Sequence, residues 1–172
     1  MGKIAFVFPG QGAQVVGMGQ NVYENSAVAK DVFEQASKAV DLDLKALCFE
    51  ENNDINITEF TQVCLLTTSV AIMEELKTRG VKADVAAGLS LGEYTAHIAS
   101  GSMEFADGVR LVKKRGKYMQ EEVPVGKGAM AAIIALSAED VIACCEEASK
   151  VGICSPANFN CPGPVSYTHL RA

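Results

Sequence analysis

Basic residues, histidines and long apolar runs are scarce in this sequence, and each shortage closes off a class of function. Fifteen Lys and Arg stand against 21 Asp and Glu in 172 residues, a formal net charge of −6. Nucleic acid is therefore not an expected partner, because phosphate binding calls for a basic surface. No apolar run approaches the roughly 20 residues of a membrane span. The start is no signal peptide, since Lys3 is followed only by Ile4 to Phe8 before Pro9 and a glycine cluster. Phe6 occupies the place where a myristoylation signal carries Ser or Thr. These absences predict a cytoplasmic protein with no membrane partner. Cys48, Cys64, Cys144, Cys145, Cys154 and Cys161 show no Cys-x-x-Cys spacing, and only His97 and His169 could join them. No metal site is expected from that set. Most of the cysteines fall within apolar runs, which reads as small buried hydrophobes in a reducing compartment. Internal repeats and low-complexity tracts are absent too, and 49% hydrophobic with 21% charged residues is ordinary globular composition.

The most informative stretch is Ala86-Ala87-Gly88-Leu89-Ser90-Leu91-Gly92-Glu93-Tyr94. Asp84 to Gly88 reads as a short buried strand and Glu93 to Ala99 as a helix, with Gly-x-Ser-x-Gly between them. A serine on a sharp strand-to-helix turn is held in a strained conformation. Its neighbours two residues away must then be nearly free of side chain, a need that Gly88 and Gly92 meet. The turn projects the Ser90 hydroxyl at a helix N-terminus, where N–H groups and the dipole favour developing negative charge. That pattern marks Ser90 as a nucleophile for acyl chemistry; the plainer reading is a Gly/Ser turn with no chemistry.

Along the chain, Lys3 to Phe8 is a β-rich apolar run and predicts a buried first strand. Gly10-Gln11-Gly12 follows, but Val15 stands where a dinucleotide loop has its third glycine, and no Gly-Lys-Ser/Thr ending occurs. A glycine-lined loop after a strand still offers backbone N–H groups to a ligand. Ser26 to Val40 has helical spacing, with Val28, Val32, Phe33, Ala36 and Val40 on one side. Thr58 to Arg79 is the longest helix candidate, and its broad apolar content predicts burial on more than one side. In Glu104 to Val123, Phe105, Val109, Val112, Gly116, Met119 and Val123 form a core stripe. Arg110, Lys113, Lys114 and Lys117 fall on the opposite face. Arg115 lies at the stripe's edge, so it either meets an anion or snorkels to solvent or an internal carboxylate. After Val125-Gly126-Lys127-Gly128, which reads as a hinge, Ala129 to Leu136 predicts a strand. A helix opening at Ser137 and a strand from Gly152 to Pro156 complete a small separate unit. Asn158 to Ala172 reads as loop.

Several of these stretches converge. Phe8-Pro9-Gly10-Gln11-Gly12-Ala13-Gln14, the Ser90 elbow and Val112-Lys113-Lys114-Arg115-Gly116-Lys117-Tyr118-Met119-Gln120 resemble the malonyl-CoA:acyl carrier protein transacylases. Gly128 to Ile134 and Ser155-Pro156-Ala157-Asn158-Phe159-Asn160-Cys161-Pro162-Gly163 continue the resemblance in order. It implies an α/β fold: an α/β-hydrolase-like core over 1–125, incomplete here, then the first half of an inserted ferredoxin-like subdomain over 126–165. Residues 166–172 form a tail without the resemblance. It further implies that Ser90 accepts malonyl from coenzyme A and passes it to the phosphopantetheine thiol of acyl carrier protein, in fatty acid biosynthesis. Backbone N–H groups of Gln11 and Leu91 would form the oxyanion hole, and Arg115 would pair with malonyl's free carboxylate. A planar guanidinium suits that role, because it binds a carboxylate bidentately where lysine gives a point charge. No permanently bound cofactor and no metal are implied; the coenzyme A thioester is a substrate, and the complete protein is expected to be a monomer.

Two departures qualify the expectation. Leu89 stands where the family usually has His, which changes the pocket wall and leaves the nucleophile. The chain is also little more than half the family's length, and the general-base histidine belongs to the missing part. His97 cannot stand in, since seven helical residues place it about 10 Å along the axis from Ser90. His169 sits in the tail. The expectation is thus a truncated acyltransferase with little or no activity of its own; a serine esterase or thioesterase, or a non-enzymatic fragment, are the rival readings. Lys113, Lys114 and Lys117 are a candidate basic patch for an acidic carrier, or simply a solvated helix face.

Overall fold

The computed structural model describes residues 2–124 and 126–159, and the backbone of 168–171. The chain divides into two compact units, Met1–Glu122 and Val123–Ala172. The first unit runs β1 (Ala5–Phe8), α1 (Gln20–Asn25), α2 (Ala27–Val40), α3 (Leu44–Phe49), a 3-10 turn (Asp54–Asn56), α4 (Thr58–Thr78), β2 (Val85–Gly88), α5 (Leu91–Ala99) and α6 (Phe105–Glu122). The strands pair in parallel, Ala5 opposite Val85 through Phe8 opposite Gly88. Parallel neighbours need a long crossover, and α1 to α4 supply it.

Helix α4 is the centre of the unit. Every residue from Thr61 to Thr68 is buried, as its broad apolar content predicted, because α2, α5 and α6 all pack on it. Helix α2 opens at Ser26, whose hydroxyl accepts a hydrogen bond from the Ala29 N–H at 3.1 Å. Its buried stripe is Ala29, Val32, Phe33, Ala36 and Val40; Val28, expected inside, is exposed. The smaller Ala29 takes the inward position, so α2 can approach closely. Helix α6 buries Gly108, Val109, Val112 and Gly116, but the stripe ends there, and Met119 is exposed. Gly116 explains the crossing. A Cβ on it would lie 2.7 Å from Glu59 Cα and 2.8 Å from the Thr58 carbonyl oxygen, so α6 and the start of α4 meet backbone to backbone.

The strands depart from expectation. Both read as buried, yet Val7 is 74% exposed and Val85 52% exposed. Phe6, Phe8 and Ala86 turn toward the helices, while Ala5, Val7, Val85 and Ala87 turn away. Parallel strands carry apolar residues on both sides because both faces are normally covered; within this unit the helices cover one.

The second unit is β3 (Met130–Ile133), α7 (Ala138–Ala148), β4 (Ser155–Phe159) and β5 (Thr168–Arg171). Ser137 caps α7, accepting from the Asp140 N–H at 3.0 Å. The strand order is β3-β5-β4, with β5 antiparallel to both neighbours. The strand–helix–strand run read from the sequence is present, but two stretches read as loop are strand. β4 extends to Phe159, and Thr168–Arg171 fills the gap between β3 and β4, where tertiary pairing outweighs weak local propensity. Val125, within the expected hinge, and residues 160–167, including Cys161, lie outside the described residues. Among the described cysteines all five are free thiols; Cys48, Cys64 and Cys145 are buried, whereas Cys144 is exposed against expectation. The neighbouring Cys48 thiol and burial push the Cys64 thiol well above its ordinary range, so it is an inert core residue.

Candidate active site

Because β1 and β2 are adjacent and parallel, their C-terminal ends deliver two loops to one place: the Gly10-Gln11-Gly12 turn and the Ser90 elbow. Ser90 has φ 52° and ψ −101°, a conformation that costs a non-glycine residue roughly 1–3 kcal/mol. The two elbow glycines are sterically obligatory. A Cβ on Gly88 would sit 1.9 Å from the Gly92 carbonyl carbon, and one on Gly92 would sit 2.2 Å from the Phe8 carbonyl oxygen. Gly10 is equally constrained, with its notional Cβ 2.7 Å from the Leu89 carbonyl oxygen. The loop after β1 and the elbow after β2 therefore pack main chain on main chain, tied by the Leu89 N–H donating to the Phe8 carbonyl at 3.1 Å.

Ser90 is the N-cap residue of α5, but its hydroxyl does not cap the helix. The Ser90 hydroxyl is exposed and instead receives a hydrogen bond from Arg115 Nη2 at 2.9 Å. Leu91, buried, is the first residue of α5, where the N–H groups have no partner within the helix and the dipole is positive. Arg115 is half-buried on α6 and takes neither an internal carboxylate nor plain solvent. Its Nη1 donates to Gln62 Oε1 at 2.7 Å, and its guanidinium carbon lies 5.6 Å from the centre of the Tyr94 ring. Among the described residues no carboxylate forms an ion pair with it, so its charge faces the elbow uncompensated. Gln11 enters through its side chain. Its Oε1 accepts from Gln62 Nε2 at 3.4 Å, and its own Nε2 donates to Thr58 Oγ1 at 3.2 Å. Ser90, Leu91 and Arg115 thus stand together, and Gln11 is joined to them through Gln62.

Gln62 and Tyr94 did not emerge from the sequence as site residues. Gln62 is wholly buried in α4, and its signal was that of a long polar side chain among positions otherwise filled by apolar residues and threonines. His97, by contrast, sits near the far end of α5 with Nδ1 3.0 Å from Ser102 Oγ. It lines a cleft of about 520 Å³ beside β2 and α5 that includes Gly88, Glu93 and Ser100 but neither Ser90 nor Arg115. His169 pairs through its backbone with Ala132 in the second unit's sheet. The basic face of α6 is spoken for in part. Lys113 Nζ donates to the Val40 carbonyl at 2.7 Å, closing the C-terminus of α2, and Lys117 lies 3.7 Å from Glu121. Among the described residues no cluster of His, Cys, Asp and Glu could hold a metal, and no helix is long and apolar enough to cross a membrane.

Proteins of similar sequence carry names that describe one activity. The chain is 47% identical over 167 residues to the malonyl CoA-acyl carrier protein transacylase of Escherichia coli strain K12, a match covering 96% of this chain and 54% of that protein. It is 44% identical over 167 residues to the protein of the same name from Bacillus subtilis strain 168, covering 96% and 53%. The solved complex of a malonyl-transacylase with its type II PKS acyl-carrier protein superposes with a TM-score of 0.88 at 41% identity, over 99% of this chain and 55% of that one. The chain spans about half the length of the curated relatives it matches. The model of the acyl transferase domain matches residues 5–165, and the chain accordingly belongs to the acyl transferase domain family.

Proposed function

We propose that this chain carries the nucleophile, oxyanion hole and acyl-selecting arginine of a malonyl-CoA:acyl carrier protein transacylase. The observation that carries the reading is the 2.9 Å contact between Arg115 Nη2 and Ser90 Oγ, made by a guanidinium with no carboxylate partner among the described residues. An acyl group attached to Ser90 then places a carboxylate beside Arg115 only if that carboxylate is close to the acyl carbon. Malonyl, with one methylene between them, has that reach. Longer diacids overshoot, and acetyl leaves the cation unpaired.

In the first half-reaction the Ser90 oxygen attacks the thioester carbonyl of malonyl-CoA. A C–O bond forms, the C–S bond breaks, and the serine proton passes through a general base to the departing coenzyme A thiolate. The carbonyl oxygen gathers charge between the Leu91 and Gln11 N–H groups. In the second half the phosphopantetheine thiol of acyl carrier protein attacks the seryl ester, and the proton returns to Ser90. The base is assigned to the portion of the relatives that this chain does not span, since His97 is engaged away from Ser90. Coenzyme A is a substrate here, with no resident cofactor in the scheme. The packing of β1, β2 and the elbow supports an α/β-hydrolase-like core. β3-α7-β4 with β5 between the strands supports a ferredoxin-like subdomain, which fits a division near residues 125/126 but takes in Thr168–Arg171, beyond the expected end at 165.

The test is to mix full-length protein with malonyl-CoA and weigh it. A malonyl adduct on the Ser90 peptide that disappears on adding holo-carrier, and is absent in Ser90→Ala, is the expected result. Rapid release of malonate to water without carrier would make the protein a hydrolase, and no adduct at all would refute the assignment of Ser90.

A further inference from the structure

We propose that Gln62 is a positioning residue for acyl selectivity, holding the Arg115 guanidinium in the orientation that receives a carboxylate. The inference rests on the reading of Arg115 given above and extends it. Gln62 is fully buried, so both ends of its amide need partners. Its Oε1 accepts from Arg115 Nη1 at 2.7 Å, and its Nε2 donates to Gln11 Oε1 at 3.4 Å while lying 3.3 Å from Met119 Sδ. The guanidinium has no acceptor atom, so the amide can be assigned in one orientation only: oxygen toward Arg115, nitrogen toward Gln11. Tyr94 bounds one face of the guanidinium and Gln62 fixes one of its edges. What remains is the Nη2 side, turned to Ser90. A long flexible arginine is thereby held in one orientation before any acyl group arrives, which removes the ordering cost from binding. The same amide reaches Gln11 in the loop after β1, and Gln11 is itself anchored to Thr58 on α4. The carboxylate site and the loop that carries the proposed oxyanion donor therefore share one buried residue.

Selectivity, read as the ratio of kcat/KM for malonyl-CoA over acetyl-CoA, separates this role from simple support of the fold. A loss of fold lowers both substrates together. In full-length protein, Arg115→Ala is measured first and should lower the ratio strongly; an unchanged ratio there removes Arg115 from carboxylate binding and the proposal with it. Gln62→Met keeps the volume and deletes the hold on Nη1, and the ratio should fall about tenfold, the scale of one lost charge-assisted hydrogen bond. Gln62→Glu covers the case in which the Met variant does not fold. It retains an acceptor for Nη1 but neutralises Arg115, so malonyl should again lose more than acetyl. If Arg115→Ala lowers the ratio while a folded Gln62 variant leaves it unchanged, the positioning role is overturned and the reading of Arg115 stands.

Discussion

Gly88→Ala puts the steric argument for the elbow to a quantitative test. The added methyl would lie 1.9 Å from the Gly92 carbonyl carbon, 2.0 Å from its oxygen and 2.3 Å from the Glu93 nitrogen. All three are backbone atoms, so no rotamer change relieves the clash, and strand and helix must part by roughly 1 Å before such a contact is tolerable. Overpacking of this kind costs about 1–3 kcal/mol of stability. The larger effect falls on chemistry, because a displacement of roughly 1 Å at a reacting group costs on the order of 100-fold in rate. Gly80→Ala is the control. Gly80, in the turn after α4, has φ 79°, but a Cβ there meets nothing within 4 Å, so the substitution brings backbone strain of about 1–3 kcal/mol without pushing on the elbow. The assay pairs thermal denaturation with malonyl transfer on the full-length protein. Comparable destabilisation in the two variants, with the rate collapsing only in Gly88→Ala, is the expected result. Gly88→Ala with a wild-type rate would refute the claim that this glycine sets the position of Ser90.

Other features make independent predictions. The Ser26 hydroxyl, followed by Arg79, holds the Glu75 carboxyl below its ordinary value. A depressed folded-state pKa stabilises the fold above the unfolded carboxylate pKa and ceases to do so as pH falls through the folded value. Wild type should therefore exceed Glu75→Gln in urea resistance at pH 7, with the gap narrowing as pH falls below the ordinary carboxylate range; a gap that does not change with pH would show the charge to be irrelevant. Ser26→Ala should cost about 1 kcal/mol through the lost cap of α2 and shrink that pH dependence as well, both readable from urea melts. The outward face of β1 and β2, with Val7 and Val85 exposed, should make the isolated 172-residue chain bind a hydrophobic dye and melt broadly. A sharp melt without dye binding would contradict this.

Sequence by itself determined the local features whose physics is short-range. Gly88, Ser90 and Gly92 announced the elbow because a strained serine needs bare neighbours two residues away on either side. Ser137 marked a helix start through capping, and the breadth of apolar positions in α4 announced burial on several sides. Tertiary structure alone decided what depends on distant partners. Whether Arg115 met an anion, a carboxylate or solvent was open from α6 considered alone; Gly116, by letting α6 cross α4 at backbone contact, delivered it to Gln62 and Ser90. Gln62 had no legible role, because a buried glutamine acquires one only from the residues the fold brings to its amide. Strand Thr168–Arg171 was likewise illegible, since its pairing partners lie more than thirty residues away in β3 and nine to sixteen away in β4. The exposure of Val7 and Val85 belongs with these, because apolar patterning shows that a face requires cover and only the assembled chain shows what covers it.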